Sequence, residues 1–132
     1  MTFLQRVLKA QAFVWFVAAI GFGLVPRWLV ETVMSQAPEP EYVWVRAGAI
    51  MGLVLAMFMV LVAQRIGDVW WWSWAFAVVS AGLATLCIVT AAFGVPEGSA
   101  AWPWWALGLG HLVLGALDLW GLSLAGQEKP VV

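Results

Sequence analysis

Between Asp68 and Glu97 the chain carries no charged residue, and this uncharged stretch opens with Trp70, Trp71, Trp72 and Trp74. A helix that crosses the hydrocarbon of a bilayer needs about 20 apolar residues, because every backbone polar group has to be satisfied inside the segment. The run 69–93 meets that length, and its tryptophan-rich edge is the pattern expected where a helix meets the lipid–water boundary. A transmembrane helix is the structure this stretch dictates.

Three further runs pass the same criterion, at 10–27, 43–63 and 102–124, and the joints between them are short. Short joints make neighbouring helices antiparallel. The expected fold is therefore all-α: an integral membrane four-helix bundle, up-down-up-down, as one transmembrane domain over residues 1–132. Composition agrees, since 64% hydrophobic and 10% charged residues with a mean hydropathy of +0.96 lie far from a soluble domain. A net charge of -1 with scattered basic residues excludes a nucleic-acid surface. The lipid bilayer is the first partner this chain requires.

The first run is the weakest. It follows Arg6 and Lys9 in the manner of a signal peptide, but Leu24, Val25, Pro26, Arg27 and Trp28 offer no small-residue cleavage site before a polar region, so a retained helix is expected. Pro26 should end or kink it, and residues 28–34 should form an amphipathic turn before Pro38 and Pro40. Sidedness follows from the basic residues near helix ends. Arg6, Lys9, Arg65 and Lys129 fall on one side, Arg27 and Arg46 on the other. Both termini are expected in the cytoplasm, with a bacterial inner membrane as the setting.

Helix association in lipid depends on close approach through small residues. Ala19 with Gly23, Gly48 with Gly52, and Gly108 with Gly115 are the expected contact points. The polar candidates are fewer. Arg46 sits near the start of the second run and Glu31 near the end of the preceding turn, so a structural ion pair between them is expected, with a headgroup or anionic ligand as the alternative. His111 and Asp118 are seven residues apart in the fourth run, close to two turns, which puts both on one helix face with Gly108 and Gly115. That face should turn inward and Leu109, Leu112 and Leu119 outward. His111 is expected to bond Ser80, Thr85 or a backbone carbonyl, or else to serve a proton relay or a quinone contact. Asp118 is expected to be paired, with Lys9, Gln11 or Arg65 in reach and an ion pair as the default.

Catalytic templates fail on inventory. One histidine and one cysteine, Cys87, cannot assemble a zinc site, and a membrane haem would need a second axial ligand that only a second copy could supply. No serine stands in a nucleophile-elbow context and no phosphate loop follows a strand. No catalytic residue, metal site or cofactor is expected.

The segments GLVPRWL and RAGAIMG, separated by an acidic loop, resemble the small four-helix bacterial membrane proteins of the DoxX-like type. In those proteins a helix-opening arginine followed by small residues recurs, which corresponds to Arg46, Gly48 and Gly52 here. The resemblance implies the four-helix fold and a bacterial membrane, and no particular activity. The small multidrug exporters are similar in size and helix number, but the carboxylate of their first span has no counterpart between Ala10 and Pro26. Two readings of function remain: an accessory or scaffold subunit that packs against itself or a larger membrane complex, and a protein that binds or transports a lipid, quinone or small hydrophobic molecule near His111.

Overall fold

A computed structural model describes residues 2–129. Helix α1 spans Thr2–Leu24, α2 Val43–Gln64, α3 Ile66–Val69, α4 Ser73–Phe93 and α5 Trp102–Glu128. The one-turn helix α3 and a 3₁₀ turn at Trp70–Trp72 feed directly into α4. Four of these segments are long and apolar enough to cross a membrane, and successive ones run antiparallel, so the chain is a multi-pass membrane protein built as a four-helix bundle.

Two boundaries differ from the sequence expectation. Helix α1 starts at Thr2 rather than near residue 10, because Arg6 and Lys9 do not interrupt it: they stay exposed while Leu4, Val7 and Leu8 form a buried stripe at helical spacing. Helix α5 continues past residue 124 to Glu128, and the Lys129 ammonium donates to the Gly67 carbonyl at 3.0 Å. As expected, α1 stops before Pro26, and residues Trp28–Val33 form a wide π-helical turn leading into the loop.

The bundle is two hairpins. Helix α1 packs along α2, α4 packs along α5, and the hairpins meet chiefly where α1 lies on α5. Helices α2 and α5 have no comparable seam of their own.

The core is not spread evenly along the bundle. It gathers at the end holding the start of α1, the end of α2, α3, the start of α4 and the end of α5, where Leu4, Leu8, Met59, Ile66, Phe76 and Leu122 are all enclosed. Glycine permits the approach there: a Cβ added at Gly121 would stand 3.2 Å from the Leu4 backbone. Gln5 Nε2 donates to the Ala63 carbonyl at 2.7 Å across the same end.

The opposite end is tied by loops. Gln36 Nε2 donates to the carbonyls of Met34 at 2.7 Å and Ala100 at 3.0 Å, while its Oε1 accepts from Trp104 Nε1 at 3.0 Å. Ala37 N–H donates to Ser99 Oγ at 2.8 Å, and Ala100 N–H to the Ser35 carbonyl at 2.9 Å. Ser35 adopts φ 51°, a left-handed conformation that costs a non-glycine residue on the order of 1 kcal/mol and is held by these bonds. Between the packed end and this belt of hydrogen bonds the bundle opens.

Candidate functional site

The opening is a groove on α1, flanked by α2 and α5, with a volume of about 280 Å³. It exists because α1 touches both neighbours while those neighbours do not close on each other. Small residues form much of its wall: Ala18 and Ala19 on α1, Gly48, Ala49 and Gly52 on α2. Bulkier sides come from Val14, Phe22, Val45, Leu107 and Leu114, and the polar side chain that reaches it is His111.

His111 is half-buried, its ring centroid 5.6 Å from that of Trp15 at a tilt of 44°. Its Nδ1 is enclosed without a hydrogen-bond partner, and among the described residues the imidazole takes part in no hydrogen bond. The expected bonds to Ser80 or Thr85 are not formed. Thr85 Oγ1 donates to its own helix at Ala81, and Ser80 faces Gly115. The reason lies in how α5 is shared: Gly108 and Gly115 face α4, while His111 turns to α1. A Cβ at Gly108 would lie 2.7 Å from Ile88 Cγ1 and 3.2 Å from its backbone nitrogen, so this glycine sets the α4–α5 spacing.

Two turns further along α5, Asp118 is completely enclosed. Gln11 Nε2 donates to Asp118 Oδ2 at 2.8 Å and to the Leu114 carbonyl at 3.3 Å. The ion pair expected for Asp118 is a correction: among the described residues its partner is this neutral amide. Lys9 cannot serve, because two residues before Gln11 it points about 200° around the helix and is exposed. Arg65, beyond the end of α2, is exposed as well. Asp118 Oδ1 and Gln11 Oε1 are both left without a donor. Leu109, Leu112 and Leu119 are exposed as expected, so the inward polar stripe on α5 is present.

The Arg46–Glu31 ion pair is a second correction. Arg46 Nε donates to the Gly23 carbonyl at 3.3 Å, one of the acceptors that the end of α1 leaves unpaired. Glu31 instead pairs with Arg27 one turn earlier, Nε to Oε1 at 3.3 Å, and accepts a hydrogen bond from the Tyr42 hydroxyl. That bond to a carboxylate holds the Tyr42 phenol above its ordinary pKa.

The glycine expectations divide. Gly52 makes a close contact, with a Cβ there 3.1 Å from Trp15 Cε3 and 3.9 Å from Ala19 Cβ, and Gly23 stands across from Ala49 at 3.8 Å. Gly48 is different. Nothing lies within 4 Å of its Cβ position, so it is groove wall and not helix contact.

Sequence reasoning missed Trp15 and undervalued Gln11. Both carried a signal: Trp15 is a tryptophan set inside its run and not at its edge, and Gln11 is the polar side chain inside it. Among the described residues no three His, Cys, Asp or Glu side chains cluster as a metal site. No family model matches the chain, and neither the curated proteins nor the solved structures give a match.

One imidazole with a donor and an acceptor unused faces an apolar groove that contains no nucleophile and no second titratable group. Such a site can hold a flat or chain-like apolar molecule and fix one polar atom.

Proposed function

We propose that this protein is a non-enzymatic component of the bacterial inner membrane, both termini cytoplasmic, that holds a lipid, a quinone or another small hydrophobic molecule in the groove at His111. One observation carries the reading: an imidazole with no partner of its own, within a membrane span, beside unfilled space. Nδ1 is enclosed, so Nε2 is the ring nitrogen that a carbonyl or hydroxyl on a bound molecule reaches, and a hydrogen bond there contributes about 0.5–1.5 kcal/mol. The groove at about 280 Å³ takes a single ring or a length of chain.

Gentle extraction followed by native mass spectrometry tests this. A small molecule retained on a single chain, and lost from a folded His111→Leu variant, is the expected result. A stoichiometric protein partner or a homo-oligomer with no small molecule would sink it.

A second reading is favoured by a separate observation. Gly48, Gly82 and Gly110 are exposed with nothing within 4 Å of their Cβ positions, which leaves small-residue surfaces open to a helix of another chain. In that reading the protein is an accessory or scaffold subunit, and the same spectrum distinguishes it. Orientation is tested by single cysteines at Glu39 and Glu97, which should label from the periplasmic side. Labelling confined to the cytoplasmic side would reverse the topology.

A further inference from the structure

A second cleft, of about 610 Å³, lies where α1 turns toward α2, with Arg27, Trp28, Glu31, Tyr42 and Arg46 in its wall. Glu31 is engaged by Arg27 and Tyr42, so its charge is answered locally. Two arginines against one glutamate leave a net charge of +1 (2 − 1) in the wall, and the cation left over is Arg46. Its Nε is anchored on the Gly23 carbonyl, and among the described residues its guanidinium makes no ion pair. The terminal nitrogens of an exposed guanidinium at this depth, next to exposed Trp28, match the level and chemistry of a phosphodiester headgroup.

The same helix pair supplies a place for the tail. An apolar cleft of about 280 Å³ between α1 and α2 is lined by Phe13, Phe16, Met57 and Val60, with Lys9 at its far edge. Met57 is eleven residues from Arg46 and Phe13 eleven from Leu24, three turns in each case, so both clefts lie on one face of the α1–α2 pair. Eleven residues rise about 16 Å, which matches about 15 Å for half the hydrocarbon thickness. The groove residues Gly48 and Gly52 lie about 160° and about 120° around α2 from Arg46, so the open side of the His111 groove is separate from this surface.

We propose that this face binds an anionic phospholipid from the leaflet at the α1–α2 loop, with its phosphate on Arg46 and one acyl chain along the seam toward Phe13 and Met57. Glu39 and Glu41 stand exposed on the loop above and oppose anions at long range, so the recognition is local to Arg46.

The test is lipid retention by native mass spectrometry after reconstitution into vesicles of equal phosphatidylglycerol and phosphatidylcholine. Wild type should retain phosphatidylglycerol over phosphatidylcholine by about fivefold, the effect of one basic residue at the membrane surface, and Arg46→Gln should abolish the preference. Met57→Trp should reduce retention of both lipids. Equal retention in wild type, or an undiminished preference in Arg46→Gln, overturns the proposal. If Arg46→Gln does not fold, wild type alone decides: the preference should fall as salt rises, and a salt-independent preference overturns it. Potassium phosphate compared with chloride at equal ionic strength separates the two sources of a phosphate group. Selective loss of phosphatidylglycerol in phosphate would mean that the site takes a free anion and not a lipid.

Discussion

The two halves of this bundle are made from the same materials and behave differently. At the end near α3, Leu4, Leu8, Met59 and Phe76 interlock, and glycine at 121 lets α1 press onto α5. In the other half, Gly48 on α2 meets nothing within 4 Å of its Cβ position, and α5 presents an imidazole to the space. Small side chains in a membrane helix therefore have two opposite effects. Where a partner backbone is in reach they tighten the seam, and where it is not they leave room.

Truncating one leucine in each half should show the largest difference between them. Leu8→Ala in the packed half should lose about 2–5 kcal/mol, because neighbours held on all sides cannot collapse into the cavity. Leu114→Ala beside the groove should lose clearly less, about 1–2 kcal/mol, since the space it leaves joins a space already there. Reversible unfolding in mixed micelles reads both. Equal losses would mean that the groove half is as well packed as the core.

Asp118 and Gln11 sit at the border between the halves, and substitution there separates charge from shape. Asp118→Leu should cost about 1–3 kcal/mol, because it strands the Gln11 amide without its acceptor. Asp118→Asn should be neutral or stabilising: its carbonyl still accepts from Gln11 Nε2, and its amide supplies a donor where Gln11 Oε1 and Asp118 Oδ1 now have none. A large loss in the Asn variant would show that an unseen cation or donor holds the carboxylate.

How much of this was legible in the sequence depends on what each feature averages over. The four helices were readable because hydropathy sums over some 20 residues, and a few errors at the ends do not change the sum. The inward stripe of His111 and Asp118 was readable because spacing alone fixes a helix face. Partners were not readable, because they depend on which helix faces that stripe. Seeking partners for His111 on α4 was wrong, as α4 is met by Gly108 and Gly115, while α1 faces the stripe with Trp15 and Gln11. Likewise a GxxxG spacing cannot say whether both glycines lie in the seam. Gly52 does, and Gly48 faces the open groove.

The two glycine substitutions should have effects of opposite sign. Gly108→Ala should destabilise by about 1–3 kcal/mol, because Ile88 and its backbone leave no space for a methyl group. Gly48→Ala should stabilise by about 0.5–1 kcal/mol, gaining helix propensity with nothing to strike. Both are read by the same unfolding assay, and a destabilised Gly48→Ala would place Gly48 in a contact made in the membrane.

Tryptophan in place of glycine distinguishes a binding site in the open half from loose packing. Gly48 lines the groove and Gly82 stands on α4 away from it, yet both have open space at Cβ. Native mass spectrometry of the two folded variants should find the retained small molecule lost from Gly48→Trp and kept by Gly82→Trp. Retention in both variants, or loss from both, would mean that the groove is not the binding site.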